Sequence, residues 1–238
     1  DLDRVREQAD ALAALDADVM ELYASSLGVV ANARLLPART TELRALCQER
    51  PLVPTLHAPI PINFMDRDNI ALHRSAARVS VDLAAEIGAP IVVIHAGRAD
   101  PADWASDPDG LLSFEREELF ALGDHAAQCG VRIALENISP NLAVIGGRAT
   151  SYSLDPAALA RQLGALDHPA VTGCLDYSHA KQGAGLLGLD PVAGAAAMAP
   201  FTGHIHISEA SGMPTIPSIT SQPDWMYFGV GDMHAPLG

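Results

Sequence analysis

The chain has 238 residues, 49% of them apolar, and carries 29 acidic against 15 basic residues for a formal net charge of −14. That length suits one large core, so a single domain over 1–238 is expected. The charge balance, with Lys181 the one lysine, opposes general nucleic-acid binding, which needs several Lys or Arg to neutralise phosphates, and leaves a small molecule as the default partner.

From the N-terminus, DLDRVREQAD reads as a charged amphipathic helix rather than an export signal. Helices are expected near 2–15, 39–49, 67–88, 114–129, 155–165 and 190–198, alternating with apolar, β-branched runs at 19–23, 52–56, 91–94, 131–135, 171–175 and 203–207. Gly88 and Gly130 follow helices and precede strands, as helix-ending residues of positive φ do. Asp155 followed by Pro156 is a helix-start signal. Segments 97–113, 139–153 and 208–231 read as loops. No apolar stretch approaches the roughly 18 residues of a membrane span. Cys47, Cys129 and Cys174 lack paired metal spacing and suit reduced thiols, so a cytoplasmic location is expected.

Repeated βα units of this kind build a parallel sheet, either a (β/α)8 barrel or an open doubly wound sheet. An open sheet gathers its ligands at one switch point, whereas here chemistry-bearing residues recur at nearly every strand end, which favours the barrel. Only six strands are visible, so the first and last strands of an eight-stranded barrel are expected to be missing from this sequence.

The recurring residues are metal-binding types. They are His57 in TLHAPIPIN, His95 in IVVIHAG, Glu136 in IALEN, Asp176 and His179 in GCLDYSHA, His206 in GHIHISE, and Asp232 and His234 in GDMHAPLG. Asp176 and His179, three apart in what reads as a loop, suit one cation. His204 and His206 alternate on one strand and share a face; His206, nearer the strand end, is the expected ligand, and His204 is left as a supporting or core histidine. Imidazoles mixed with carboxylates suit zinc, manganese or iron better than calcium or magnesium.

The order HAPIPIN, VVIHAG, ALEN, LDYSHA, HIHISE and GDMHAPLG resembles the xylose isomerase-like barrel superfamily, which includes sugar isomerases, epimerases and endonuclease IV. The resemblance spans almost the whole chain. It implies a metal core in which Glu136, Asp176 and His206 match three ligands, while a fourth, a Glu, would lie beyond Gly238. The motifs around His57, Asn63, His95, His179, Asp232 and His234 resemble the endonuclease IV branch, where similar residues complete a three-zinc cluster. HIHISE looks instead like the ketose 3-epimerases, although the substrate-contacting arginine of that group is replaced here by Gly212.

The leading expectation is a divalent-metal isomerase or epimerase of a sugar, sugar phosphate or related polyhydroxy carbonyl compound. It would use one to three ions, zinc or manganese first, with Glu136 and His179 as catalytic residues. Trp225, Tyr227 or Phe228 could cover its pocket. The alternative is a polynuclear zinc hydrolase of a small ester, and a noncatalytic ligand-binding barrel ranks third. Many small barrels associate, so a homo-oligomer is compatible with the sequence.

Overall fold

The structure is a computed structural model that describes residues 2–237. In chain order, α1 (Leu2–Ala14), β1 (Val19–Tyr23) and α2 (Ala24–Leu27) lead into a small antiparallel hairpin of β2 (Val30–Ala31) and β3 (Arg34–Leu35). Then come α3 (Pro37–Gln48), β4 (Val53–His57), α4 (Ile70–Ile87), β5 (Ile91–His95), α5 (Pro101–Ser106), α6 (Pro108–Gln128) and β6 (Arg132–Glu136). The last part holds α7 (Leu142–Ile145), α8 (Pro156–Leu166), β7 (Val171–Asp176), α9 (Tyr177–Leu187), α10 (Pro191–Met198), β8 (Thr202–His206) and α11 (Gln222–Phe228).

Six strands form one parallel sheet in the order β1-β4-β5-β6-β7-β8. The sheet curls into a half-barrel, bringing its two edges close enough for Glu21 on β1 to lie 3.0 Å from both His204 and His206 on β8. This is the (β/α)8 plan short of strands, as read from the sequence. No helix among the described residues is long and apolar enough to cross a membrane.

Strand alternation divides the side chains between two environments. On β5 and β6, Val92, Ile94, Ile133 and Leu135 point outward into the large core packed by the helices, which includes Leu83, Leu119 and Leu159. Val93 and Ala134 point inward, where they meet Cys174 of β7 in a small separate cluster. The next inward residues along these strands are His95, Glu136 and Asp176, each the last residue of its strand. Register fixes their height, with His95 opposite Glu136 and Asp176 opposite His206. The row of expected ligands is therefore the top layer of the barrel interior, at the C-terminal ends of the strands where barrel sites form.

Helix chemistry follows the local signals. Asp155 accepts from Ala157 N at 2.9 Å with Pro156 in the first turn, and Gly88 and Gly130 adopt φ of 77° and 70°. Three expected loops are partly helical. Segment 97–113 contains α5 and the start of α6, 139–153 contains α7, and 208–231 contains α11. The DYSHA segment is likewise not a loop: Asp176 caps α9 by accepting from His179 N at 2.8 Å.

Beneath the mouth lies a fully buried polar knot. Glu115 of α6 accepts from Gly97 N at 2.6 Å, Tyr152 Oη at 2.7 Å and Gln162 Nε2 at 3.0 Å. It thereby ties the loop after His95 to the connection between β6 and α8. Gly97 has no room for a side chain, since a Cβ would sit 2.6 Å from Met65 Cγ and 2.8 Å from Glu115 Oε1. All three neighbours donate, so an acceptor on both sides is required. Glu115→Gln turns one acceptor into a donor facing a donor and is expected to cost about 1–3 kcal/mol, read as a lowered midpoint in urea unfolding.

Candidate metal centre

Five of the eight expected ligands end strands: His57 on β4, His95 on β5, Glu136 on β6, Asp176 on β7 and His206 on β8. His179 follows in the first turn of α9, and Asp232 and His234 lie on the C-terminal segment after α11. All eight line one cleft of about 700 Å³, together with Glu21, Tyr23, Ile60 and Ile138.

Glu136 sits at the centre with a side chain 1% exposed. Its Oε2 lies 3.1 Å from His57 Nε2 and 3.2 Å from His95 Nε2. Its Oε1 lies 2.9 Å from His206 Nδ1 and 3.6 Å from His179 Nδ1. Asp176 stands 3.7 Å from His206 and 3.8 Å from His179. A further group forms where Asp232 Oδ2 meets His179 Nε2 at 3.2 Å and His234 Nε2 at 2.8 Å. The donors thus include two sets that share Glu136, His57–His95–Glu136 and Glu136–Cys174–His206, and a separate set, His179–Asp232–His234, with ligand atoms in each within 4.8 Å of one another.

Backbone contacts orient the imidazoles. His57 Nδ1 lies 2.8 Å from Ala58 O and His179 Nδ1 lies 2.8 Å from Asn137 O. A carbonyl can only accept, so Nδ1 carries the proton and Nε2 turns its second position toward the cleft. There each Nε2 meets a carboxylate oxygen, which needs either an additional proton or a cation between them. Separations of 3.1–3.2 Å match two ligands sharing one cation with bonds of about 2.0–2.2 Å. His206 instead turns Nδ1 to Glu136 and Asp176, while its buried Nε2 approaches Glu21 at 3.0 Å without hydrogen-bond geometry. The residues present therefore fit a divalent metal.

Electrostatics among these groups follow from the crowding. Burial alone would raise the Glu136 carboxyl, but its contacts with His206, His57 and His95 hold it well below the usual range. Burial would lower His179, yet Asp176, Asp232 and Glu136 push it up to about 10. Burial dominates at His95, which shifts down, and at Asp176, which shifts up. Glu21 is held at about 2 by His204 and His206 against the effect of burial.

Some members of the site were not singled out in the sequence. Glu21 lies one layer below the mouth, where Thr55 Oγ1 donates to it at 3.3 Å and His204 contacts it at 3.0 Å; its signal was a carboxylate inside the apolar run VMELY. Asn137, completely buried, clamps two strand ends, donating to Asp176 O at 2.9 Å and accepting from Asp176 N at 2.8 Å. Asn63, which the sequence did single out in the HAPIPIN motif, does the same for the loop after β5, bonding both the N and the O of Arg98 at 3.0 and 2.8 Å. The aromatic trio does not line the cleft: Tyr227 and Phe228 are 87% and 61% exposed, and Trp225 donates to Ile219 O at 2.8 Å within its own segment.

A curled parallel α/β sheet with a histidine–carboxylate cluster at its strand ends has the plan of a barrel protein with its polar cleft at the strand C-termini. Residues 9–238 match the xylose isomerase-like TIM barrel family, and the chain belongs to that family. No curated protein sequence matches the chain. Solved structures of the same fold include a D-tagatose 3-epimerase-like protein, 19% identical with a TM-score of 0.67 over 93% of this chain and 82% of that one. A protein from Thermus thermophilus, soaked with zinc chloride, is 21% identical with a TM-score of 0.65, over 98% of this chain and 81% of that one. The 3-keto-D-glucoside 4-epimerase from E. coli is 16% identical with a TM-score of 0.63, over 98% and 86%.

The His179 shift carries a pH dependence. A histidine raised from 6.5 to about 10 contributes stability that is fully present below pH 6.5 and is lost as pH rises through about 10. Calorimetry on metal-stripped protein should show Tm falling across that window, and His179→Asn should flatten the slope; equal slopes for the two proteins would contradict the assignment.

Proposed function

We propose that the protein is a divalent-metal-dependent isomerase or epimerase of a sugar or related polyhydroxy carbonyl compound, acting by proton transfer beside the carbonyl. The observation that carries this reading is the convergence of Glu136, Asp176 and His206 on a cleft of about 700 Å³, a volume suited to a small molecule. The ring of carboxylates there and the acidic surface disfavour a nucleic acid. Two of the proteins that share the fold are named for epimerase chemistry on sugars, which supports the same choice.

A cation held by Glu136, Asp176 and His206, with zinc or manganese best suited to that donor set, would supply Lewis acidity to a carbonyl and its neighbouring hydroxyl. The chain's own groups do the rest. Glu136, ionised by its imidazole neighbours, is the carboxylate that takes a proton beside the carbonyl. His179, held by Asn137 O, polarises a substrate oxygen. Tyr23, Ile60 and Ile138 supply apolar wall to the cleft.

One observation favours a second reading, a polynuclear zinc hydrolase of a small phosphate ester. Glu136 commits each oxygen to a different histidine set, His57 and His95 on one side and His206 on the other. Each set would offer a Glu136 oxygen to a cation of its own, and two cations would supply an activated water and charge stabilisation for the leaving oxygen of an ester.

Proton transfer at carbon separates the readings. Metal-loaded protein in heavy water should place deuterium beside the carbonyl of a ketose or aldose as the product forms, and His179→Gln should slow this by roughly 10²–10⁴-fold. Phosphate release from small esters without deuterium uptake would overturn the isomerase in favour of the hydrolase.

A further inference from the structure

Three residues beyond His95, Arg98 stands at the seam of two clefts: it lines the metal cleft and also a neighbouring one of about 630 Å³. Its backbone is held from both sides by Asn63, and one guanidinium nitrogen, Nη2, donates to Ile60 O at 3.2 Å. The rest of the fork faces no carboxylate among the described residues. Five aspartates border the second cleft; Asp68 and Asp103 are exposed at its edge, and the other three are engaged elsewhere. Asp66 accepts from Asn69 and His73, Asp100 caps α5, and Asp107 caps α6 and approaches Arg67.

A half-buried guanidinium without a counter-charge is expensive, especially in a chain with a net charge of −14, because desolvation is offset only by a paired anion. Burial is the one influence acting on its ionisation, and it disfavours the charged form. Asn141 lines both clefts beside it. The Oδ1 of Asn141 caps α7 by accepting from Ala143 N and Val144 N, which leaves its amide N–H groups as donors. Arg148 borders the second cleft. Spare N–H donors lining the same clefts beside a candidate metal centre are what a planar or tetrahedral oxyanion requires.

We propose that Arg98, with Asn141 beside it and Arg148 at the outer rim, forms an oxyanion subsite, so that the substrate carries a phosphate or carboxylate at the end remote from its carbonyl. This rests on the isomerase reading and narrows it from sugars to phosphorylated or acidic sugars. The carbonyl end lies over Glu136, Asp176 and His206, and the anionic end reaches the seam between the clefts.

Binding to metal-loaded protein by titration calorimetry tests this with three probes: ribitol, its terminal phosphate ester, and ribonate. In the native protein at least one anionic probe should bind about tenfold or more tightly than ribitol, and Arg98→Gln should reduce the difference to about twofold with metal content unchanged. A phosphate preference alone identifies a phosphate subsite, and a ribonate preference a carboxylate subsite. Equal binding of all three probes to the native protein would overturn the subsite while leaving the isomerase reading in place. An anion preference that survives in Arg98→Gln would also overturn it, assigning the anion to the cations instead. Failure of all three to bind would overturn both. The comparison within the native protein does not depend on the variant folding.

Discussion

A carboxylate buried to 1% exposure among four imidazoles is the constraint around which the rest of the structure is arranged. An ionised group so far from water persists only if opposite charge or hydrogen-bond donors surround it. Glu136 obtains these from β4, β5, α9 and β8 at once. That is possible only because a curled parallel sheet brings the ends of non-adjacent strands together. The half-barrel and its charge cluster therefore belong together: curvature assembles the imidazoles around the carboxylate, and their contacts span its strands.

The precision of the cluster comes from buried polar groups behind it. Asn137 locks the ends of β6 and β7 in register and, through its carbonyl, sets the tautomer of His179. Asn63 and Glu115 hold the loop after His95 from above and below, through the backbones of Arg98 and Gly97. None of these side chains needs to touch substrate. Each removes a freedom from a residue that faces the cleft, and a loosely held ligand would dissipate the affinity that a metal site requires.

Five of the six strands were legible because each apolar run ends abruptly in a histidine or carboxylate, so periodicity and chemistry changed at the same place. Helix α9 was not. Its sequence YSHAKQGAGLL carries two interior glycines, which weaken helix propensity, and it is held by contacts that a local reading lacks, with Gly183 packed directly against the backbone of Leu154. Glu21 was missed for a different reason. It lies within a strand rather than at its end, and its contacts with His204 and His206 span more than 180 residues, a closeness that depends on the curl of the whole sheet. The aromatic residues 225, 227 and 228 invited a role over the pocket by composition alone, and their placement away from it shows how little composition says about direction.

The central claim is that the cluster around Glu136 is a metal centre. The most direct measurement is anomalous X-ray scattering from crystals of the protein loaded with zinc or manganese. Peaks flanking the Glu136 carboxylate, within bonding distance of His206 and Asp176 and absent in Glu136→Ala, are expected. Their number would also decide between one cation and a bridged set. A loaded crystal with no anomalous peak in the cleft, or one whose peaks persist unchanged in Glu136→Ala, would contradict the claim.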